Sequence, residues 1–188
     1  MDLLLFGIQG SGKGTQAKRL AADFGYDIFE AGGELRKIAA SGSALGQTVK
    51  SYIDDGKLVP HEIIMRVVKE AIGKRPKDQK ILFDGIPRDE NQKKDFDGIM
   101  EEAGRDFRAI HLLLDPEEGV RRILGRAKIE GRADDANEET IRRRMGTFVS
   151  KTLPVIGAYR EEGLVEELDG SKSVDEVYGV LKDAVSMM

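Results

Sequence analysis

A glycine-rich run with one lysine near the start of the chain has the composition of a phosphate-binding loop. From Gly7 to Gln16 the chain reads Gly-Ile-Gln-Gly-Ser-Gly-Lys-Gly-Thr-Gln. Glycines allow the backbone to wrap around a phosphate so that several N–H groups converge on its oxygens, and Lys13 adds a mobile positive charge. Gly14 follows the lysine where a serine or threonine is usual, so the hydroxyl comes one residue later, at Thr15. The run therefore predicts nucleotide binding.

A carboxylate at the end of an apolar run supplies the second chemical signal. Ile81 to Phe83 is followed by Asp84 and then by Gly-Ile-Pro-Arg, which ends at Arg88. An acid at a strand end can hold a metal-bound water beside nucleotide phosphates. A turn with an incidental salt bridge is the plainer alternative, but the trailing proline and arginine argue against it. We expect no direct metal ligand from the protein: magnesium comes with the nucleotide, and Thr15 and Asp84 meet it through water.

Short apolar runs predict the strands that position these residues. The strong runs are Leu3 to Phe6, Lys80 to Phe83, Ala109 to Leu114 and Leu164 to Leu168, and a weaker one is Tyr26 to Phe29. Strands that are apolar throughout, rather than in alternation, are expected when helices cover both faces of a sheet. The first strand leads into the glycine-rich run, and a helical pattern follows it, which is the setting that a phosphate-binding loop requires. The fold class is therefore α/β with a parallel sheet.

Amphipathic patterns between these runs predict helices. The clearest comes last, behind the cap candidate Ser173, with core positions Val174, Val177, Leu181 and Val185. Another carries the stripe Ile141, Met145 and Phe148. Roughly 70 mostly helical residues separate the first two strong strands, more than one crossover needs, so a helical insert is expected there. The glycine-rich and charged segment 125–137 predicts a second, smaller excursion.

Composition narrows the class of protein further. The chain has 188 residues, 30 Lys and Arg against 34 Asp and Glu, a formal charge of −4 and no cysteine. These numbers fit one domain, exclude disulfides and cysteine-bound zinc, and argue against a surface that coats nucleic acid. No apolar run reaches the roughly 20 residues that cross a bilayer, and the first residues are too few and too acidic for a signal peptide. We therefore expect a soluble, cytoplasmic protein.

Taken together, the motifs resemble those of the nucleoside monophosphate kinases and are most similar to the short-lid adenylate kinases. The motifs are the glycine-rich loop with Gly14 after the lysine, Asp-Gly-Ile-Pro-Arg at 84–88, Asp-Gly-Lys-Leu-Val-Pro at 55–60, Gly-Arg-Ala-Asp-Asp at 131–135, Glu-Glu-Thr-Ile at 138–141 and Pro-Val-Ile at 154–156 with Tyr159. They occur in family order from residue 3 to about residue 185. The resemblance implies a three-layer P-loop NTPase fold with a central parallel sheet, one domain over 1–188, an acceptor-binding helical insert at 30–59 and a short lid at 125–137. It also implies reversible transfer of a phosphoryl group from Mg-ATP to AMP, giving two ADP.

The same resemblance implies a role for each candidate residue. The donor phosphates would be held by Gly10, Ser11, Gly12, Lys13, Gly14 and Thr15. The acceptor nucleotide would contact Ala31, Arg36, Lys57, Leu58, Val59, Gly85, Ile86, Pro87, Arg88 and Gln92. The catalytic group would be Lys13, Asp84, Arg88, Arg122, Arg126, Arg132 and Arg144. Within it, Arg126 would face the donor phosphates, whereas Arg132 and Arg144 would face the transferring group and the acceptor phosphate. Lys172 would lie near the donor adenine. One added residue after Asp135 leaves Arg143 as a competitor for the role of Arg144.

Elementary chemistry agrees with this allocation. Phosphoryl transfer needs alignment and charge stabilisation more than a covalent nucleophile, so converging arginines and lysines are expected. Arginine suits the task because its planar fork grips two phosphate oxygens at once. The two histidines, His61 and His111, are interpreted as structural. A mobile cover over the site is expected because an exposed site would transfer the phosphoryl group to water.

The acceptor motif departs from the usual family pattern. Adenylate kinases have Ser-Thr-Gly-Asp before Leu-Leu-Arg, whereas residues 30–36 read Glu-Ala-Gly-Gly-Glu-Leu-Arg, without the hydroxyl and without the acid. Alanine at position 31 resembles the UMP/CMP kinases, but Gln92 resembles the adenylate kinases. A site that hydrogen-bonds a base rejects analogues that leave it unpaired, so these two positions bear on specificity. AMP is the favoured acceptor, and UMP or CMP is the alternative.

Two other classes of protein are alternatives to a nucleotide kinase. A GTPase switch would need an Asn-Lys-x-Asp motif, and the sequence has none. A nucleotide sensor of the same fold that no longer turns over would fit the altered acceptor motif, but it would not need Lys13, Asp84, Arg88 and the lid arginines. The expected partners are ATP and AMP, with magnesium and without zinc, nucleic acid or membrane, and the expected state is a monomer.

Overall fold

A five-stranded parallel sheet forms the centre of the molecule. The computed structural model describes residues 1–130 and 137–188, and of residues 126–130 the backbone alone. The strands are β1 Asp2–Gly7, β2 Asp27–Glu30, β3 Ile81–Asp84, β4 Phe107–Leu113 and β5 Val165–Asp169. They lie in the order β2-β3-β1-β4-β5, and every pairing is parallel. All five predicted strands, including the weak one, are therefore confirmed.

Helices connect the strands on both faces. Their bounds are α1 Lys13–Phe24, α2 Ala31–Ala39, α3 Ala44–Asp54, α4 His61–Gly73, α5 Glu90–Ala103, α6 Pro116–Glu130, α7 Glu138–Thr147, α8 Leu153–Glu161 and α9 Val174–Met187. A π-helical turn, Phe148–Thr152, joins α7 to α8. The predicted cap of α9 is confirmed, since Ser173 and Glu176 satisfy each other's backbone N–H groups in a capping box. Among the described residues no helix combines the length and apolarity that crossing a membrane requires.

Alternate side chains of the strands enter two cores, one on each face of the sheet. Leu4 and Phe6 of β1 pack with residues of α2, α4, α5 and α8, whereas Leu3 and Leu5 pack with α1 and α9. Strands buried on both faces require apolar residues at every position, which is why β1 reads as a continuous apolar run. The three-layer α/β arrangement predicted from the sequence is confirmed.

A third, smaller cluster fixes the helices that frame the glycine-rich loop. Ile8, just after β1, packs with Val120 and Ile123 of α6 and with Ile141 and Met145 of α7. The predicted apolar stripe of α7 therefore faces the loop. As a result, the arginines on these two helices project from elements that are packed against the end of β1.

A buried ion pair secures the opposite end of the sheet. Asp2 and Arg105 are both almost fully buried, and the carboxylate of Asp2 also accepts the backbone N–H of Ile81. These contacts join the starts of β1 and β3. Removing one partner would strand a buried charge, which typically costs about 3–5 kcal/mol. The pair stabilises the sheet at the end where the strands begin, opposite to the end that carries the glycine-rich loop.

Candidate active site

The glycine-rich loop runs from the end of β1 into the first turn of α1. Gly10 and Gly12 have φ values of +86° and +89°, a region that residues with a side chain rarely adopt. The Lys13 ammonium donates to the carbonyl of Gly7 at 2.6 Å and lies 3.3 Å from that of Ile8. Thr15 is exposed in the first turn of α1, where helix N–H groups face outward. The predicted donor-phosphate residues therefore lie in one continuous segment, which runs from the loop into the first turn of α1.

Gly119, in the first turn of α6, contacts this loop and was not among the predicted residues. A Cβ atom at Gly10 would lie 2.7 Å from the carbonyl oxygen of Gly119, and a Cβ at Gly119 would lie 2.7 Å from the carbonyl oxygen of Gln9. Both glycines are thus required by close backbone packing. A glycine inside a helix costs about 1 kcal/mol relative to alanine, which was the signal in the sequence that could have marked this position.

Asp84 and Arg88 lie at the end of β3, next to the loop. Asp84 pairs in register with Leu5 of β1, which ends in the glycine-rich run. Burial raises the pKa of Asp84, while the charges of Lys13 and Arg88 act to lower it. Burial likewise lowers the pKa of Arg88, which the negative charge of Asp84 opposes. The structure therefore concentrates opposite charges from two neighbouring strand ends in a partly dehydrated space.

Three contacts fix the position of Arg88. Its Nε donates to the Gly85 carbonyl at 2.7 Å, and its backbone carbonyl accepts a hydrogen bond from Thr152 Oγ1 at 2.9 Å. Its backbone N–H donates to Gln92 Oε1 at 2.8 Å. Thr152 is buried and belongs to the π-helical turn, and sequence reasoning did not identify it. The peptide bond between Ile86 and Pro87 is cis.

Gln92 occupies the position predicted to read the acceptor base. It is buried in the first turn of α5, and its backbone N–H donates to the cap residue Asp89 at 2.9 Å. Because its Oε1 holds the Arg88 amide, the orientation of the side-chain amide is fixed. The side chain predicted to read the acceptor base is therefore hydrogen-bonded to the backbone of Arg88.

The other acceptor candidates lie on α2 and at the end of α3. Ala31 is buried at the start of α2, and Arg36 lies on the exposed side of that helix, paired with Glu30 at 2.7 Å. Lys57 pairs with Asp55 at 2.8 Å, and Val59 is buried between α3 and α4. Leu58 stands between Lys57 and Val59 in the chain. The charges of Arg36 and Glu30 act on both Asp84 and Arg88, so Arg36 lies near the end of β3.

Arg122 links α6 to the loop that precedes α9. Its Nε donates to Glu118 at 2.8 Å, and its two terminal nitrogens donate to the carbonyls of Gly170 at 3.2 Å and Ser171 at 2.8 Å. Lys172 is the next residue of that loop. Two candidate donor-side residues, far apart in the sequence, are thus brought together. The predicted lid at 125–137 falls largely outside the description: α6 extends through its first part, and both Arg132 and the side chain of Arg126 lie outside the described residues.

The geometry distinguishes the two competing arginines of α7. Arg144 is half-buried, its Nη2 lies 3.4 Å from the Ile53 carbonyl, and its charge acts on Arg88. Arg143 is exposed and donates to the Asp55 carbonyl at 2.6 Å. Arg144 therefore has the position expected of a cation that faces the acceptor phosphate together with Arg88.

Neither histidine is hydrogen-bonded to Lys13, Asp84 or Arg88 in the contacts described here. His111 is buried in β4 with its Nδ1 3.0 Å from Glu167, and burial lowers its pKa although Glu167 opposes the effect. His61 lies at the start of α4, 3.4 Å from Glu62 and 3.7 Å from Asp95. The structural role of both histidines stays a prediction.

The donor atoms near the loop match a magnesium ion that arrives with its nucleotide. Over residues 1–125 and 137–188 no group of three or more histidine, aspartate or glutamate side chains has the geometry of a metal site. One carboxylate, Asp84, and one hydroxyl, Thr15, flank the loop. Mg²⁺ keeps several waters and is typically bound by one or two carboxylates together with substrate phosphates. These two residues therefore fit a metal that is coordinated mainly by phosphate oxygens and water.

A parallel α/β sheet with a phosphate-binding loop after β1, an acid at the end of β3 and converging arginines defines a P-loop nucleotide phosphotransferase. Comparison with known proteins agrees with this class. The family model described as adenylate kinase matches residues 5–164. Similar proteins are the adenylate kinases of Thermus thermophilus, 39% identical over 98% of this chain and 97% of the relative, and of Nocardioides sp., 38% identical over 100% and 98%. That of Phocaeicola vulgatus is 34% identical over the full length of both. The chain belongs to the adenylate kinase family.

Proposed function

We propose that this chain catalyses the reversible transfer of a phosphoryl group from Mg-ATP to AMP, with two ADP as products. The observation that carries this proposal is the arrangement of Lys13, Asp84 and Arg88 at the adjoining ends of β1 and β3. A cationic loop can hold the donor phosphates on one side while Arg88 holds the acceptor phosphate on the other. The transferring group then lies between two sets of positive charge.

The protein supplies alignment and charge rather than a nucleophile. Lys13 and the backbone N–H groups of the loop hold the donor phosphates, while Arg36, Arg88 and Arg144 grip the acceptor phosphate. In-line geometry between two phosphates supplies much of the rate enhancement in phosphoryl transfer, and fixed cations stabilise the charge that develops on the equatorial oxygens. Thr15 and Asp84 would hold the waters of a magnesium ion that comes with ATP, and this ion would supply positive charge to the phosphates.

The donor adenine is proposed to lie beside the loop of Lys172. Arg122 donates to two carbonyl groups of that loop, which ties the loop to α6. Arg126 and Arg132 are proposed to reach the donor phosphates and the transferring group from the lid at 125–137. The insert at 30–59 is proposed to carry the acceptor.

AMP is proposed as the acceptor because of Gln92. A glutamine amide offers one acceptor and one donor, which complement the exocyclic amine and the ring nitrogen on one edge of adenine. The Oε1 lone pair that faces Arg88 leaves a second lone pair on the same oxygen. Ala31 contributes no hydrogen bond and therefore does not select against adenine. UMP and CMP are the competing acceptors.

Coupled assays of ADP formation test this proposal directly. ATP with magnesium is supplied with AMP, UMP, CMP, GMP and dGMP in turn, and AMP is expected to give the highest kcat/KM. Preference for UMP or CMP would establish the alternative, and absence of turnover with every acceptor, together with measurable ATP binding, would establish a sensor.

Two variants of one arginine test the role given to Arg88. Arg88→Ala is expected to lower kcat by orders of magnitude with an unchanged circular dichroism spectrum. Arg88→Lys keeps the charge but loses the planar fork and the bond to Gly85, so only a small part of the rate is expected to return. Near-normal turnover in the alanine variant would exclude the proposed role. Arg132→Ala is expected to behave like Arg88→Ala.

A further inference from the structure

The acceptor motif has no acid at position 33, but the carboxylate of Glu30 lies beside that position. Glu30 ends β2, and its carboxylate forms an ion pair with Arg36 at 2.7 Å. A Cβ atom at Gly33 would lie 3.2 Å from Glu30 Oε2, so the carboxylate occupies the space beside that glycine. Glu30 thus fills the volume that a side chain at position 33 would enter.

Two glycines in the first turn of α2 make room for this ion pair. A Cβ at Gly32 would lie 3.2 Å from Arg36 Nη1, in the same way that one at Gly33 would crowd Glu30. Consecutive glycines weaken a helix, because each costs about 1 kcal/mol relative to alanine. The side chain of Arg36 folds back along the helix over these glycines and reaches the strand end. The local sequence therefore favours the pair at the expense of helix stability.

Glu30 lies beside the charge cluster of the candidate active site. It pairs in register with Asp84 across β2 and β3. Its negative charge acts on both Asp84 and Arg88, as does the positive charge of Arg36. An incoming acceptor phosphate would therefore meet Arg36 already engaged by a carboxylate.

We propose that Glu30 sets the affinity for the acceptor nucleotide by competing with its phosphate for Arg36. This inference rests on the function proposed above, in which Arg36 grips that phosphate. Acceptor binding is then an exchange: Arg36 releases the carboxylate of Glu30 and takes up the phosphate. A dianionic phosphate with several acceptor oxygens wins this exchange, whereas an unphosphorylated nucleoside offers Arg36 nothing in return. Glu30 thereby raises the acceptor KM.

The size of the effect follows from exposure. The side chains of Glu30 and Arg36 are 52% and 42% exposed, so the ion pair is weak and solvent screens the repulsion between Glu30 and the phosphate. Removing the charge of Glu30 is therefore expected to lower the KM for AMP by about threefold to tenfold, with kcat changed by less than about twofold. A substitution that changes binding equally in the enzyme–substrate complex and in the transition state changes KM and leaves kcat unaltered.

Glu30→Gln and Glu34→Gln form a matched pair of variants. Glu34 lies on α2, as Arg36 does. It makes an ion pair of the same length as that of Glu30, 2.7 Å, but its partner is Lys37. Both substitutions remove one negative charge from an exposed pair. Steady-state kinetics with AMP, and calorimetric titration of AMP alone, are expected to show tighter binding for Glu30→Gln and values near the wild type for Glu34→Gln.

Salt dependence gives a second readout that a structural role would not change. In the wild-type protein, added salt weakens the attraction between Arg36 and the phosphate, but it also weakens the competing pair. In Glu30→Gln only the first effect operates, so the KM for AMP is expected to rise more steeply with salt.

Equal KM values and equal salt slopes for Glu30→Gln and the wild type would overturn the inference, as would an equal gain in Glu34→Gln. A higher KM in Glu30→Gln would also overturn it, because Glu30 would then hold Arg36 in place for the phosphate. Failure of the function proposed above gives a different result, namely that the wild-type protein forms no ADP from ATP and AMP.

Discussion

Gly10 of the phosphate-binding loop and Gly119 of α6 are in backbone contact that leaves no space for a side chain on either residue. A Cβ at Gly10 would lie 2.7 Å from Gly119 O and 3.0 Å from Gly119 Cα. Through this contact α6 fixes the position of the loop at the end of β1. The loop is therefore positioned by a residue more than a hundred positions away in the chain.

Gly119→Ala is expected to impair both stability and turnover. The added methyl group would meet the Gln9 carbonyl at 2.7 Å, so the loop must shift, at a cost of about 1–3 kcal/mol. A displaced loop misaligns the donor phosphates, and kcat is expected to fall by about tenfold or more. Thermal denaturation and ADP-formation assays measure the two effects.

Gly98→Ala provides the control for this substitution. Gly98 is an exposed position in α5, and a Cβ there meets nothing within 4 Å. Alanine should stabilise the helix by about 0.5–1 kcal/mol and leave kcat unchanged. Loss of activity in both variants, or in neither, would contradict the role given to Gly119.

Asp84→Asn is expected to stabilise the protein while it abolishes most of the activity. Burial raises the pKa of Asp84 in the folded state, so ionisation of this carboxyl opposes folding at neutral pH. Asparagine removes that penalty, and Tm at pH 7 is expected to rise by a few degrees. Turnover is expected to fall by at least about 100-fold because the carboxylate that would hold the metal-bound water is lost.

The pH dependence of this stabilisation gives the check. A raised folded-state pKa means that the stability due to this carboxyl is fully present below the unfolded pKa of about 3.9 and is lost as pH rises. The gain in Tm of Asp84→Asn should therefore shrink as pH falls toward 4. Asp183→Asn, at an exposed position of α9, should show no such gain. A gain that persisted at acidic pH would point to packing and not to charge.

The strands and the phosphate-binding loop were predictable because their signals are local. An apolar run such as Leu3 to Phe6 and the spacing of glycines around Lys13 depend only on neighbouring residues. The contacts of Gly119 with the loop and of Thr152 with Arg88 were not predictable, because they join segments that only the folded chain brings together. The Glu30–Arg36 pair was hidden for another reason: its partners are close in sequence, but the pairing depends on the angle between β2 and α2.

Arg122→Ala is expected to weaken ATP binding. Loss of the side chain removes two hydrogen bonds from a cation to the carbonyls of Gly170 and Ser171, each worth about 1.5–3 kcal/mol when the donor is charged. The loop beside Lys172 is then no longer tied to α6, and the KM for ATP is expected to rise by about tenfold. Arg121→Ala removes a neighbouring exposed arginine that pairs only with Glu118 among the described contacts, and it should leave this KM unchanged. A rise in the KM for AMP alone would contradict the assignment.

His111 is expected to make the protein less stable as pH falls below about 6.5. Burial lowers the pKa of His111 in the folded state, so the unfolded chain takes up the proton first and acidification favours unfolding. His111→Gln should therefore flatten the fall in Tm between about pH 6.5 and pH 5, where aspartates and glutamates are still largely ionised. An unchanged slope in this variant would show that His111 does not control the acid sensitivity in that range.

Gln92→Asn tests whether base recognition and the placement of Arg88 share one side chain. Asparagine is one methylene shorter, so it cannot hold the Arg88 amide and also reach the edge of an acceptor base from the same backbone position. We expect the kcat/KM for AMP to fall by at least about tenfold, and by less than that for CMP or UMP, because the lost hydrogen bonds to adenine discriminate between bases. Gln79→Asn, whose amide donates to Gly25 and Lys80 at the opposite end of the sheet, is the matched control and should leave all acceptors unaffected. Equal losses for every acceptor would mean that Gln92 acts only by positioning Arg88, and base selection would then have to come from another residue.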